Sequence, residues 1–392
     1  MHYKIDKIKQ EDLVFLNYPT KYSLDDYNTS TAKIGKKFLT GNIKAIYTSG
    51  NVSNPGISDI DFLIVVKNNT APNLKLAWFT KKEQDIVCHP FYIVNENIME
   101  NIKWIYPDFN LKLIHGGHIN INHPKKMEIK AIRIFLMSDI ILRHFPKDYL
   151  EMLIPKWIDT RDALLRLNAL NHSISGFRLI GLKGKKWTYY EKEIKKLRNI
   201  WFSIGKKEQK KGILKLLKDA TYISMDMIDE LSSLLEKEKI VKIFHGEKEC
   251  IYNGEQNRTF FVEAWDKKKA LKRMIDFYLH NKKFYSVLPL NFLPLFLEYS
   301  KEKGVLSSYI GRHLKNSNIN YSIQHKEIIK KRINMLNRQT SLAIRMKHRH
   351  FTAFFDYGYK SRSGILNKGK HVMRMIKHSN MVKGAIFRLT KK

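Results

Sequence analysis

The chain has 392 residues, of which 43% are hydrophobic and 12% aromatic, and a formal net charge of +34. This apolar content excludes a wholly disordered chain, and 19 Gly and 10 Pro exclude collagen-like and low-complexity classes. The length predicts two or three domains. Cys88 and Cys250 are far apart, which argues against a disulfide framework and favours a reducing, cytoplasmic compartment.

The N-terminal part of the chain has the pattern of a small mixed α/β unit. Its strand candidates are rich in β-branched and aromatic residues. Ser30 or Thr31 is the expected N-cap of the helix that precedes them. In chain order, the predicted elements are a helix at 30–42, strands at 43–49, 59–66 and 85–94, a polar turn at 50–58 and a loop at 68–73.

From Lys126 onward, apolar residues recur every three or four positions, which predicts helices. The most apolar stretch, 284–297, is too short to span a membrane and contains Pro289 and Pro294, so a buried, kinked helical segment is expected. No transmembrane segment and no signal peptide are predicted. The predicted helices are 127–145, 147–170, 161–179, 213–240, 267–282 and 324–350, with a hairpin at 241–254 and 258–265.

These patterns predict an α+β fold in three parts. A small mixed sheet with helices occupies residues 1–122, a larger, mainly helical domain follows at 123–340, and 341–392 form a basic C-terminal segment. The first 120 residues carry a net charge of only +2, whereas the rest carry +32. Because a basic surface attracts phosphates, the second part is the expected contact for nucleic acid, anionic lipid or nucleotide.

The segment IYTSGNVSNPGISDIDFLIVV, residues 46–66, carries the most specific chemical signal. Side chains on a strand alternate between faces, so Asp59 and Asp61 are predicted to project from the same face. Neighbouring carboxylates repel each other and stay ionised together mainly around a cation. Mg²⁺ fits, because it takes one or two protein carboxylates and completes its shell with water and phosphate oxygens.

The turn before the two aspartates is a candidate phosphate site. Ser49, Gly50 and Asn51 offer backbone N–H groups and small polar side chains, and glycine allows a close approach of the backbone. Ser58, directly before the first aspartate, completes the predicted nucleotide-binding set.

This segment resembles the signature of nucleotidyltransferases of the DNA polymerase β superfamily. That signature is an apolar strand, Gly-Ser, a variable connector and Asp-x-Asp between apolar residues, whereas the turn here is Ser-Gly-Asn. The likeness covers roughly residues 30–95. It implies a nucleotidyltransferase-like sheet, phosphate binding around Ser49 and Gly50, and Mg²⁺ binding at Asp59 and Asp61.

The same resemblance implies a third carboxylate on a neighbouring strand, which helps to hold a metal and accepts a proton from the attacking hydroxyl. Asp85, at the predicted start of the third strand, is the candidate for both roles. The alternative is an aspartate in an ordinary turn, in which case the chain binds nucleotides without catalysis.

Two classes of function therefore stay open. The first is a Mg²⁺-dependent enzyme that moves a nucleoside monophosphate from a nucleoside triphosphate to an unknown acceptor. The second is an inactive nucleotidyltransferase-like module that binds RNA or an anionic membrane surface through its basic half. The basic and aromatic tail, 347–392, leaves three alternatives open: RNA binding, a peripheral membrane contact, or a basic end folded on the helical domain.

Two further patterns are less specific. His115, His118 and His123 match no zinc-ligand spacing, so surface histidines near a glycine turn are expected. The helix at 161–179 contains Arg161 and an Asn-His-Ser end. It is predicted either to close over the acceptor or to be an ordinary amphipathic helix.

Overall fold

The computed structural model describes residues 5–38, 42–67, 79–87, 90–254, 258–281, 285–314, 318–346 and 351–355. It confirms the predicted α+β class, with small sheets and a mainly helical remainder. Up to residue 116 the elements are β1 Val14–Leu16, α1 Leu24–Lys37, β2 Ile43–Ser49, β3 Asp61–Val66, α2 Lys81–Ile86, β4 Phe91–Asn95, α3 Glu96–Glu100 and β5 Leu111–Gly116.

The rest of the described chain is mainly helical. Its helices are α4 Lys126–His144, α5 Lys147–Leu153, α6 Thr160–Leu179, α7 Lys185–Ile200, α8 Lys206–Lys237, α9 Lys267–Asn281, α10 Leu293–Lys301, α11 Val305–His313 and α12 Lys326–Arg345. Its strands are β6 Trp157–Asp159, β7 Val241–His245, β8 Glu249–Asn253, β9 Arg258–Val262, β10 Tyr285–Pro289, β11 Asn320–Ile323 and β12 Phe351–Thr352.

The largest sheet contains five of the described strands, in the order β12-β4-β3-β2-β5. Strand β2 is antiparallel to both β3 and β5, whereas β4 runs parallel to β3 and β12 parallel to β4. The predicted strands 43–49 and 59–66 are thereby confirmed as the two central strands. Their apolar runs are fully buried between layers, as expected for strands covered on both faces.

Each face of this sheet has its own aromatic layer. On one face, Phe38 at the end of α1 packs edge-on against Phe91 with 4.8 Å between ring centroids, and Phe62 joins them at 5.7 Å from Phe91. On the other face, Tyr92 stacks on Phe354 at 4.9 Å. The second face is therefore the one that meets the helical part of the chain.

Two strand pairings cross the predicted boundary near residue 122. Strand β1 pairs in parallel with β6, and β12, from the predicted C-terminal segment, is an edge strand of the N-terminal sheet. Gln339 Nε2 donates to the carbonyl oxygen of Ile93 at 3.0 Å, and the Phe354 N–H donates to Gln339 Oε1 at 3.0 Å. The sheet and the helices thus share one continuous core.

The predicted strand at 85–94 is wrong in its first part, because residues up to Ile86 are helical and the strand begins at Phe91. A capping box sets the start of α2. The N–H of Glu83 donates to Thr80 Oγ1 at 3.3 Å, and the N–H of Thr80 donates to Glu83 Oε2 at 2.7 Å. The capping residues therefore outweigh the apolar pattern here.

The predicted single helix at 147–170 is also wrong. It divides into α5 and α6 around β6, because Pro155 follows α5 and Lys156 has φ +62°. Asp159 then caps α6, accepting a hydrogen bond from the N–H of Asp162 at 3.0 Å. Helix α1 likewise begins earlier than predicted, at Leu24, because Ser23 forms a capping box with Asp26.

Three other segments differ in detail. The apolar stretch 284–297 is buried as expected, but it forms β10 and the start of α10 rather than one helix. Within the predicted hairpin region, β8 pairs with β9, whereas β7 pairs with β11. The predicted loop 68–73 and most of the tail, 347–350 and 356–392, lie outside the described residues.

Candidate functional site

Asp59 and Asp61, called here the acidic pair, lie where the connector after β2 returns to the sheet. Asp61 is the first residue of β3 and pairs with Ser49, the last residue of β2. Both aspartates are half-buried. Burial raises the pKa of Tyr92 well above its usual value, and the negative charges of Asp61 and Asp59 add to that rise. Both carboxylates therefore lie near enough to the Tyr92 hydroxyl for their charges to act on it.

The turn after β2 is open to solvent. Gly50 has φ +83°, a left-handed conformation that glycine adopts without strain, and no atom lies near the position of a Cβ there. Gly50 and Asn51 are exposed, whereas Ser49 is half-buried. These residues lie at the end of β2, beside the start of β3, so their N–H groups are close to the acidic pair.

Ser58 has a different environment from the rest of the predicted phosphate set. It is buried, and its hydroxyl accepts hydrogen bonds from the N–H of Asn54 at 3.2 Å and from Arg198 Nη2 at 3.0 Å. Its carbonyl oxygen accepts a hydrogen bond from the Tyr27 hydroxyl. With these partners, Ser58 is suited to holding the connector in place beside Asp59.

Arg198 on α7 links the helical part of the chain to this connector. It is 3% exposed and donates to Asn54 Oδ1 at 3.0 Å and to the carbonyl oxygen of Leu164 at 3.1 Å, in addition to its bond with Ser58. Burial lowers its pKa to about 10, and the charge of Asp59 opposes that shift. Arg198 therefore stays protonated at neutral pH and places a fixed positive charge near the acidic pair.

The charges of both basic and acidic residues act on His172, which lies on α6. Part of its side chain is exposed, yet the surrounding protein desolvates the ring and lowers its pKa, and the positive charges of Arg198 and Lys195 lower it further. The charge of Asp61 opposes this shift. Partial exposure together with strong desolvation is typical of a cleft. His172, Lys195 and Arg198 are called here the basic wall, and the space between them and the acidic pair is called the candidate cleft. Arg198 borders it through its hydrogen bond to Ser58, the residue before Asp59.

Tyr92 occupies the strand next to the acidic pair. Since Leu63 pairs with Tyr92 in a parallel ladder, the phenol lies on the same face as Asp61. The raised pKa keeps this hydroxyl protonated at neutral pH. The resemblance implied a carboxylate on a neighbouring strand. On β4, the neighbouring strand, this face of the sheet instead carries Tyr92, whose hydroxyl is neutral.

Asp85 lies on α2 rather than at the start of a strand. Its Oδ2 accepts a hydrogen bond from the Tyr22 hydroxyl at 2.8 Å. The pKa of Tyr22 is raised to about 12, mainly because its hydroxyl is partly buried. The hydrogen bond to Asp85 and the negative charge of Asp85 add to this rise. The strand placement predicted for Asp85 is therefore wrong, whereas its metal-binding and proton-accepting roles stay predictions.

The acidic pair has the donor chemistry that suits Mg²⁺, namely two hard carboxylate oxygens at an accessible sheet edge. Among the described residues, no group of three or more His, Cys, Asp or Glu side chains is arranged to hold a metal ion. The expected convergence of Asp59, Asp61 and Asp85 is thus not found in the described part of the chain. A Mg²⁺ ion here would take its remaining ligands from water and phosphate, which is common for this ion.

The other sequence candidates lie elsewhere or have structural partners. His115, His118 and His123 are all exposed. Arg161 Nη2 lies 3.5 Å from the carbonyl oxygen of Ser58, so the start of α6 also contacts the connector. From the basic and aromatic tail, Phe351, Phe354 and Phe355 are buried in the core and unavailable to RNA or a membrane.

No protein-family model, no curated protein and no solved structure matches the chain. Within the described ranges, no helix combines the length and apolarity needed to cross a bilayer.

The sequence pattern did not identify the basic wall or Tyr92. Arg198 and Lys195 lie in a lysine-rich helix where nothing distinguishes the buried arginine from its exposed neighbours except the 3.6-residue period. That period places position 198 beside Ile194 and Leu197 on the buried face. His172 belongs to the Asn-His-Ser end of the predicted helix 161–179, which was singled out as a possible wall without a role for the histidine.

Proposed function

We propose that this protein is a Mg²⁺-dependent nucleotidyltransferase. It moves a nucleoside monophosphate from a nucleoside triphosphate to an acceptor hydroxyl or phosphate, and pyrophosphate leaves. The observation that carries the proposal is the position of the acidic pair at the start of β3, with the Gly50 turn beside it and the buried Arg198 bonded to Ser58 next to Asp59. A triphosphate with a bound cation needs both kinds of charge within reach.

Each group has a distinct task in this proposal. The carboxylates of Asp59 and Asp61 hold Mg²⁺, which when bound polarises the phosphoryl oxygens and favours attack at the α-phosphorus. The N–H groups around Gly50 and the ammonium group of Lys195 neutralise the phosphate oxygens. Arg198 keeps the connector in register, because its hydrogen bonds fix Ser58 directly beside Asp59.

A second candidate is an inactive module of the same form that binds nucleotides and, through its basic surface, RNA or an anionic membrane. The observation that favours it is that Asp85 accepts a hydrogen bond from Tyr22, and that no group of three or more ligating side chains is arranged around a metal position among the described residues. Under either proposal we place the protein in the cytoplasm, where a buried thiol such as that of Cys250 stays reduced.

The test is release of pyrophosphate from each of the four nucleoside triphosphates, with and without Mg²⁺. Wild-type protein should release pyrophosphate only with Mg²⁺, and the Asp59→Asn/Asp61→Asn variant should release none. Asp25→Asn, an exposed aspartate on α1, is the control for loss of a carboxylate and should behave as wild type. Mg²⁺-dependent binding of a fluorescent nucleotide without pyrophosphate release would favour the inactive module, and release by the double variant would refute the enzyme.

A further inference from the structure

Residues 183–218, called here the basic hairpin, carry a dense positive charge that includes Lys195 and Arg198 of the basic wall. They contain 13 Lys and Arg against three Glu, a net charge of +10 within 36 residues. The segment comprises α7, the turn after it and the first part of α8. Such a local excess exceeds what a lysine-rich composition alone would give.

The two helices of the basic hairpin pack side by side in opposite directions. Lys215 Nζ lies 2.6 Å from Glu193 Oε2, and a Cβ on Gly212 would meet the Leu197 side chain at 2.8 Å. The apolar side chains of α7 face inward: Trp187, Tyr190, Ile194 and Leu197 are buried. The lysines therefore occupy the outer surface.

Five lysines of the basic hairpin form no salt bridge with a described residue: Lys192, Lys195, Lys196, Lys207 and Lys211. All five are exposed. Lys192 and Lys196, and likewise Lys207 and Lys211, are four residues apart on one helix, a spacing at which like charges repel and destabilise the helix. A bound polyanion would relieve this repulsion.

The basic hairpin adjoins the candidate cleft. Lys195 belongs to both, since its charge acts on the pKa of His172. Asn199 Oδ1 accepts a hydrogen bond from Asn54 Nδ2 of the connector at 2.9 Å. The exposed ring of Phe202 lies 3.0 Å from the position of a Cβ on Gly56, so it borders the same connector.

We propose that the basic hairpin binds the phosphate backbone of a single-stranded nucleic acid and presents its end to the cleft as the acceptor. This inference rests on the proposed nucleotidyl transfer, because it names the acceptor class. Exposed lysines without salt bridges can contact a phosphate backbone, and Phe202 and the face of Tyr189 that Lys215 leaves open offer surfaces on which unpaired bases stack. A duplex would leave those rings without stacked bases.

The same surface is poorly suited to a membrane. An interfacial helix inserts a continuous apolar face into the lipid boundary. The apolar face of α7 is instead part of the protein core, and the exposed large apolar side chains of the basic hairpin are only Tyr189, Ile200 and Phe202. Charge complementarity with a flexible strand is therefore the better fit.

The test is the salt dependence of binding to a fluorescent 20-nucleotide oligouridylate, measured by anisotropy with the full chain. In the hairpin variant, Lys196, Lys207 and Lys211 are all replaced by Gln. The control variant replaces three exposed lysines from other parts of the surface, Lys112, Lys126 and Lys237, with Gln. Both variants lose the same charge, and none of the six residues belongs to the cleft.

For wild type and control we expect the same slope of log K against log salt. In the hairpin variant, three lost contacts should reduce the slope by about 2, since each phosphate contact on a single strand contributes about 0.7. Equal slopes in both variants would overturn the proposal. The proposal would also be overturned if anionic phosphatidylserine vesicles bound to the basic hairpin and the oligonucleotide did not.

The acceptor role has its own readout. With an α-labelled nucleoside triphosphate, label should appear on the oligonucleotide, and the hairpin variant should need more oligonucleotide for the same rate. The Asp59→Asn/Asp61→Asn variant should bind the oligonucleotide with unchanged Kd and transfer no label. Wild type could bind the oligonucleotide and release pyrophosphate normally, yet transfer no label to the oligonucleotide. That result would refute the acceptor assignment but not the proposed nucleotidyl transfer.

Discussion

The acidic pair and Arg198 of the basic wall border the same connector, but they are held in place in different ways. Asp61 is fixed by the backbone, because it pairs with Ser49 in the β2–β3 ladder. Arg198 is fixed by its side chain, which makes three hydrogen bonds from a buried position on α7. The sheet thus sets the positions of the acids, whereas packing between helices and connector sets the position of the arginine.

The two regions also differ in charge. Residues 1–120 are nearly neutral, with a net charge of +2, and contribute the carboxylates, whereas the rest of the chain carries +32 and contributes the cations. This asymmetry could be mere composition if the basic residues were spread evenly. The cleft and the basic hairpin show that part of it is concentrated beside the acidic pair, where a phosphate-rich substrate would need it.

The largest expected effect distinguishes the acidic pair from Asp85. Asp61→Asn removes a metal ligand, and loss of several kcal/mol of stabilisation should slow pyrophosphate release by on the order of 10³-fold. Asp85→Asn keeps an oxygen that accepts the Tyr22 hydrogen bond, so its rate should stay close to wild type. The measurement is the rate of pyrophosphate release by each variant at saturating Mg²⁺ and nucleotide. A similar loss of rate in both variants would show that Asp85 takes part in the reaction.

The next effect concerns the arginine on the opposite side. Arg198→Ala removes a buried donor from Ser58 Oγ, Asn54 Oδ1 and the Leu164 carbonyl oxygen, so the free energy of unfolding should fall by about 3 kcal/mol. Urea denaturation measures this. Lys192→Ala, exposed on the same helix, should change it by less than about 0.5 kcal/mol. Similar values for the two variants would show that Arg198 does not anchor the connector.

Strands β2 and β3 could be predicted from the sequence because their signal is local. A run of β-branched and aromatic residues between polar turns has few alternatives in a compact protein. Where prediction failed, helix capping or the backbone conformation of a few residues determined the structure, rather than the apolar pattern. The capping box at Thr80 made residues 81–86 helical, and Pro155 with Lys156 divided a helical pattern that looked continuous.

The acids of the candidate site could also be predicted, whereas the cations could not. Asp59 and Asp61 are two residues apart, so strand alternation alone places them together. His172 and Arg198 are more than 100 residues away from them, and their positions depend on how α6 and α7 pack over the sheet. Placing Tyr92 beside the acidic pair requires the parallel pairing of β4 with β3, and a predicted strand that begins at residue 85 does not give that register.

The smallest expected effect is a pKa shift at His172, where the two regions meet. Its pKa is lowered from 6.5 by desolvation and by Arg198 and Lys195. Between the lowered pKa and 6.5, the unfolded chain binds more protons at this residue than the folded protein does. The contribution of His172 to stability is therefore present above pH 6.5 and is lost as the pH falls through that range. The imidazole resonances of His172, followed by NMR, should titrate with a midpoint below 6.5.

The same titration measures the charge that reaches His172 from the sheet. Asp61 is the acid whose charge favours the protonated ring, so Asp61→Asn should lower the midpoint further, whereas Asp25→Asn on the exposed side of α1 should leave it unchanged. Binding of Mg²⁺ should act in the same direction as Asp61→Asn, because the cation cancels the carboxylate charge. A nucleoside triphosphate should then raise the midpoint, since its phosphates bring negative charge between the acidic pair and the basic wall. If Asp61→Asn left the midpoint of His172 unchanged, the carboxylate and the imidazole would not share a cleft. The proposed arrangement of the acidic pair and the basic wall would then be wrong.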